Sequence, residues 1–491
     1  MENITNEGVI NMKKLLTLLS AIVLALVCAL SVSAEEAEQA PYTFWDKEPY
    51  TENETTKIID HVVYRLNEEN AEKYYEVYDW FDTVEAAKAV KEINIVPEID
   101  GIKVTKIKFY DKSNRVANIK ANRYSGNHNY SVKKVTIPDT VTDIGAGFFS
   151  VLEAVEDLVI PASVQTYSFT DMENLKTVTF LGALEALGGF KDCTKLESVN
   201  LCGTVKKISY GAFENCTALK NFDIPETVTS IAGSAFYKSG ITSVTIPSVV
   251  KGIGEYVFAY CENLTEVTFV GEIRGVMGVN HGVFLYCSSL KTVTFPEYCK
   301  TLLIEWNAFN GCTALENLTL PKDNVIMIIG EEAFKDCARL KNLVFPETCD
   351  VLEIGRWAFR RCTSLESVTL PAASKDITID YKAFRGCKKL NEVNNSENIT
   401  RIYGGAFRGC TSLKNFTVSD ELILLGKNAF YGCSKLETVK VNGTAKALKI
   451  YSDAFAKTSS KIKFNVQNSV AEKNLKDRLI KSGFKNPTIT Y

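Results

Sequence analysis

Histidine is almost missing from this chain: three of 491 residues, His61, His128 and His281, far apart in sequence. A Cys–His or Ser–His–Asp centre needs its members within hydrogen-bond reach, and nothing here points to one. There is no C-x-x-C pair despite 14 cysteines. No glycine-rich phosphate loop follows a strand, and no Walker sequence is present. Charge of one sign is lacking too. Lys and Arg number 56 against 59 Asp and Glu, a net charge of −3, which leaves no electrostatic footprint for nucleic acid or an anionic membrane. On these grounds no catalytic residue, cofactor site or metal site is assigned, no nucleic-acid partner is expected, and the chain is read as a non-enzyme. Hydrophobic content of 46% is ordinary for a folded chain.

Long apolar runs are also scarce. The exception, Leu15–Leu30, follows Lys13 and Lys14 and precedes Ser31-Val32-Ser33-Ala34. A short basic region, an apolar core and small residues at a cleavage point are the pattern of a secretory signal peptide over residues 1–34, with Met12 the expected true start. The run is short for a membrane span, which needs about 20 apolar residues. The expected product is secreted and extracellular, with no membrane insertion after cleavage and with cell-surface association left open. Residues 35–57 are acidic and contain proline, and read as a linker.

What the chain has in abundance is one repeat. Glu305–Leu320, EWNAFNGCTALENLTL, is followed by Pro321 and recurs as Gly330–Phe345 and Gly355–Leu370, each again followed by Pro. The skeleton is A-F-x-x-C-x-x-L-x-x-V/L-x-F/I/L-P. The Phe of the A-F step marks units at Phe149, Phe169, Phe190, Phe213, Phe236, Phe258, Phe284, Phe309, Phe334, Phe359, Phe384, Phe407, Phe430 and Phe455. From Phe190 the spacing stays between 22 and 26 residues. Fixed periods of this size mean a stack of units, each burying its apolar face only against its neighbours. Within a unit, pairs such as Val293/Phe295, Leu318/Leu320, Leu343/Phe345 and Val368/Leu370 are two apart, the period of a strand with one buried face. Proline then ends the strand, a polar loop follows, and a short apolar step such as Ile329-Gly330 turns the chain toward A-F, with Gly expected to serve the bend.

These units resemble the BspA-like leucine-rich repeats of bacterial surface and secreted proteins, over roughly residues 93–457. Phe236 followed by Ser239, Phe455 followed by Thr458, and the insertion Gly271–Gly282 depart from the pattern. The resemblance implies a right-handed leucine-rich-repeat β-solenoid with short parallel strands and a role in adhesion or binding. It brings no catalytic residues. The expected organisation is an N-terminal β cap with a degenerate first repeat over 58–131, a solenoid over 132–458 and a strand–helix cap over 459–491. In that last part Val470, Leu475, Leu479 and Ile480 form the expected apolar side of a helix ended by Gly483.

Ten cysteines sit three residues after the marker Phe: Cys193, Cys216, Cys261, Cys287, Cys312, Cys337, Cys362, Cys387, Cys410 and Cys433. Ser239 and Thr458 fill the same slot and could form no bridge. Losing Cys28 with the signal leaves 13 of 14, an odd number. Buried thiols used as small apolar side chains are therefore expected. Two outward columns remain for binding. One is polar and includes Thr294, Thr319 and Thr369, where a flat binding sheet competes with threonine's ordinary suitability for exposed strands. The other is aromatic: Tyr210, Tyr256, Trp306, Trp357, Tyr381, Tyr403 and Tyr451. There a partner surface competes with rings that merely cover the core's edge. Trp306 and Trp357, two coils apart, are the strongest candidates, followed by Tyr381 and Tyr403; His281 is expected to be solvated. The function expected is an adhesin or protein-interaction module for an extracellular protein, with polysaccharide binding through the aromatic stripe as the alternative.

Overall fold

Each repeat folds into one coil, and three backbone runs of a typical coil hydrogen-bond to neighbouring coils. The chain divides into two units, Met1–Lys47 and Glu48–Tyr491. A computed structural model describes residues 52–79, 86, 89–107, 131–150, 152–323, 326–459, 461–484 and 487–490, all in the second unit. The expected signal peptide lies outside the described residues.

The first run is the strand read from V-x-F. Thr292–Thr294 pairs in parallel with Glu266–Phe269 on one side and Asn317–Thr319 on the other, in strict register. Alternation buries Val293 and Phe295 and turns the threonines outward. Equivalent strands pair in parallel in separate sheets, such as Glu92–Asn94 against Lys134–Thr136 near the start and Asn415–Val418 against Thr438–Val441 near the end.

The second run differs from expectation. The apolar step before A-F is not a bend but another strand. Eight of these strands, from Ile273–Val279 to Lys449–Ile450, make the largest sheet among the described residues. Met327/Ile329, Leu352/Ile354 and Ile377/Ile379 are also two apart, and all six side chains are buried. The insertion Gly271–Gly282 supplies the first strand of this sheet, and its extra length is taken up by a register shift between Ile273 and Val276. Gly330 and Gly355 follow the strand for a reason other than a bend. A Cβ would stand 2.9 Å from Glu305 C at the first and 2.6 Å from Ile329 O at the second, so glycine permits close approach of two backbones.

The third run is the A-F turn. Phe334 N donates to Ala358 O at 2.8 Å, Phe359 N to Ala383 O at 2.8 Å and Phe384 N to Ala406 O at 2.8 Å, and the pattern continues along the stack. From Phe213 onward, left-handed residues flank each marker Phe two positions before and after, as in Glu332 (φ 55°) and Asp336 (φ 64°). These two reversals aim the ring inward. All fourteen marker phenylalanines are buried. From Phe169 onward they stack ring on ring, with centroids between 5.0 Å (Phe309–Phe334) and 5.7 Å (Phe169–Phe190) apart. Phe149 joins edge-on at 5.6 Å.

At the N-terminal end Thr56–Ile59, Val62–Glu69 and Glu72–Asp79 form an antiparallel meander. It continues in parallel through Ile102–Ile107 to Asp143–Ile144. At the other end Phe464 and Phe484 close edge-on around Phe455 at 5.3 and 6.3 Å. The helix Ser469–Lys481 starts at Asn468, whose side chain accepts from Ala471 N. It stops at Gly483 (φ 91°), where Gly483 N donates to Ile480 O and Phe484 N to Leu479 O. Its buried side is Ala471, Leu475 and Leu479, spaced by four. Val470 and Ile480, expected on that side, are exposed because each lies about 100° around the helix from it.

The unit at Phe236 is one residue short after Ser239. Ile241 fills the slot that Leu219 and Leu264 occupy in the adjoining coils, and Gly240 takes the shortcut. A Cβ at Gly240 would stand 2.0 Å from Thr217 O. Gly240→Ala is expected to lower stability by about 3 kcal/mol, the upper range for overpacking. Gly432→Ala, at φ 76° with no atom within 4 Å of the added Cβ, should cost only the left-handed penalty, about 1–2 kcal/mol. Equal shifts of the two urea midpoints would remove the close-approach explanation.

Candidate functional site

The cysteine column is structural. Each of the ten thiols is buried and donates to the carbonyl of the marker Phe one coil earlier, from Cys193 Sγ to Phe169 O at 3.1 Å to Cys433 Sγ to Phe407 O at 3.2 Å. Burial pushes Cys193, Cys261 and Cys433 up to about 12 and raises the others, so the column holds thiols rather than reactive thiolates at neutral pH. Cys299 and Cys349 are buried elsewhere and bond to Thr301 O and Val351 O. Cys202 is exposed. Among the described residues no three His, Cys, Asp or Glu side chains converge to hold a metal ion.

Thr294, Thr319 and Thr369 lie on strands of the first run and face outward, Thr369 in a separate sheet. Thr245, Thr268, Thr294 and Thr319 are adjacent in register. Thr369 stands apart, because Val344, 57% exposed, occupies the coil between it and Thr319. Asn394 Nδ2 donates to Thr369 Oγ1 at 3.3 Å on the far side.

The aromatic residues lie at a different place in the coil, just before the A-F turn, and all but Tyr210 and Tyr451 fall into two clusters. Trp306, 51% exposed, stacks on His281 at 4.6 Å. His281 is wedged against Tyr256 at 4.9 Å, with Tyr256 Oη and His281 Nε2 3.0 Å apart, so it is not the solvated loop residue expected. Burial and the nearby Glu255 raise the Glu305 carboxyl beside this cluster. Trp357 belongs to the second cluster, with Tyr381 at 6.3 Å and the Arg356 guanidinium 3.9 Å over its face. It is half-buried, and its Nε1 is buried without a hydrogen-bond partner. The ring of Tyr381 lies against Gly404, next to Tyr403. The two tryptophans are therefore not one paired platform. They occupy different positions in their coils, and the coil between them carries Glu331 and Glu332.

A BspA-type leucine-rich repeat model matches residues 100–189, 186–302, 278–378 and 374–477, most of the chain. The chain belongs to the BspA-type leucine-rich repeat family. Leucine-rich repeat solenoids are typically non-enzymatic binding scaffolds. No curated protein matches this BspA-type sequence. Similar solved structures include a leucine-rich repeat protein from Bacteroides ovatus, 20% identical, with 88% of this chain and 99% of that one covered at a TM-score of 0.47. A leucine-rich cell surface protein from Faecalibacterium prausnitzii is 22% identical, covering 79% and 95% at a TM-score of 0.40. The pneumococcal vaccine antigen PcpA is 15% identical, covering 90% and 100% at 0.34.

Sequence reasoning passed over one feature of this BspA-type stack. The residue after the marker Phe is arginine in three successive units, Arg360, Arg385 and Arg408. The thrice-repeated A-F-R was the signal that could have found it.

Proposed function

We propose that this chain is a secreted or surface-exposed adhesin that binds an extracellular protein through its outward threonine columns. One observation carries the reading. Most coils spend their Phe, Leu and Cys on a single internal core, and outward side chains repeat in register from coil to coil. Such repetition makes an extended, uniform surface suited to a macromolecular partner. Among the described residues no helix is long and apolar enough to cross a membrane. A second reading, polysaccharide binding, is favoured by the open rings of Trp306 and Tyr403, 51% and 39% exposed.

Pull-down of the purified chain from panels of matrix proteins and of polysaccharides separates the two. Thr294→Arg with Thr319→Arg and Thr369→Arg is expected to weaken protein binding at least about tenfold, roughly 1.4 kcal/mol. Trp306→Ala with Trp357→Ala should lower only polysaccharide binding. Protein binding that survives the arginine variant with an unchanged far-UV spectrum would refute the threonine face as the contact.

A further inference from the structure

We infer that the turn face of the coils at Phe359, Phe384 and Phe407 is a binding surface for an acidic polysaccharide. The inference sharpens the polysaccharide reading and is independent of protein binding through the threonines.

Arg360, Arg385 and Arg408 sit in one column on the turn ladder. Arg361 N donates to Arg385 O, and Gly386 N to Arg408 O, both at 2.9 Å, which fixes their register. The rings beneath are 5.3 and 5.4 Å apart, so the three arginine backbones repeat at about one coil spacing, while the Arg360 guanidinium lies 5.7 Å over Trp357 and that of Arg408 lies 4.5 Å over Tyr431. Lys382 adds a fourth cation, 4.2 Å over the Tyr381 ring. Partial burial and the flanking Arg360 and Arg408 pull Arg385 below the usual guanidinium range.

Several cations of the stack are matched by a carboxylate on the coil before. Lys176 pairs with Glu156, Lys206 with Glu185, Lys322 with Glu297, Arg361 with Asp336, Lys375 with Asp350 and Arg401 with Asp376. Among the described residues no carboxylate pairs with Arg360, Lys382, Arg385 or Arg408. Like charges stacked on adjacent strands oppose folding unless a counter-charge arrives from outside. One that spans the column must itself carry negative charge at intervals along an extended chain.

Three observations favour a glycan. The column is single and narrow, which suits one extended strand rather than a duplex with phosphates on two. The aromatic residues among the cations are mostly tyrosines, with Tyr381 and Tyr403 37% and 39% exposed, and their hydroxyls can bond sugar hydroxyls. Lys382 covers a face of Tyr381, Arg356 a face of Trp357 and Arg408 a face of Tyr431, which leaves nucleobases fewer ring faces on which to stack. A polymer bearing carboxylates or sulfate esters meets the same cations directly, and arginine suits both groups through paired hydrogen bonds.

The test uses the purified chain and affinity electrophoresis or calorimetry at low salt. The probes are polygalacturonate for carboxylate, heparin for sulfate, dextran as a neutral glycan and oligo(dT) for single-stranded nucleic acid. At least one of the two acidic glycans should bind, with affinity falling steeply as salt is added; which of them binds identifies the anionic group. Arg360→Glu with Arg385→Glu and Arg408→Glu should weaken that binding at least about thirtyfold. The corresponding triple glutamine variant guards against misfolding and should weaken it at least about tenfold. Lys176→Glu with Lys322→Glu and Lys375→Glu changes net charge equally and should leave binding within about twofold. Wild-type affinity in the glutamine variant overturns the inference, as does tighter, column-dependent binding of oligo(dT). Dextran bound as well as the acidic glycans, and lost only with Trp306→Ala, overturns it while leaving the general polysaccharide reading in place.

Discussion

The solenoid is expected to come apart in mild alkali, at a pH where most folded proteins persist. The reason is the thiol column. An unfolded cysteine ionises near pH 8.5. In the fold, burial pushes Cys193, Cys261 and Cys433 up to about 12, and Cys216, Cys287, Cys337, Cys362 and Cys410 well above their ordinary value. Between those two ranges the native state holds protons that the unfolded state has released. Stability is thus fully present below about pH 8.5 and falls as pH rises from there toward about 12. Each thiol contributes a slope of about 1.4 kcal/mol per pH unit. Ten aligned thiols multiply it, although in a repeat protein the loss is shared among coils rather than felt as one transition. The urea midpoint should therefore drop sharply between about pH 8.5 and 10. At neutral pH a thiol reagent should label Cys202 first and reach the buried column only as the coils open. Cys337→Ala with Cys362→Ala and Cys387→Ala should flatten the alkaline slope by about 4 kcal/mol per unit, even while lowering stability at neutral pH. A urea midpoint that stays level to about pH 10 would sink the prediction.

Phe334→Ala should be the most damaging single truncation of the core. The ring is fully buried and stacks on Phe309 at 5.0 Å and Phe359 at 5.2 Å, nearly parallel to both. Its removal costs about 3–5 kcal/mol in transfer and cavity terms. The position matters as much as the size. In a stack where each coil touches only its neighbours, a gap weakens two interfaces at once and uncouples the coils before it from those after it. The variant is expected to unfold in two steps by urea and to be cut first by protease near Phe334. Tyr210→Ala, at an exposed ring, should stay within about 0.5 kcal/mol of the parent. A single transition at the parental midpoint for Phe334→Ala would mean that the ring column does not hold the coils together.

The sequence by itself determined the coil, its period and its core. A residue that must be buried in every unit recurs in every unit, so the Phe, Leu and Cys columns were legible without coordinates. The V-x-F strand was legible too, through its two-residue period and the proline behind it. The second strand was not. It is only two to four residues long in most coils, its apolar pair resembles a turn, and its hydrogen-bond partners lie a whole coil away in sequence. Glycine at 330 and 355 was misread for the same reason: what it avoids is backbone from a neighbouring coil. Tertiary structure alone decided which surface groups meet. Left-handed residues flank these A-F steps, so one position of difference sends Trp306 to His281 and Trp357 to Tyr381. Stacking likewise decided that an arginine repeated every 23 to 25 residues becomes one column of three on neighbouring coils, a closeness that linear spacing hides.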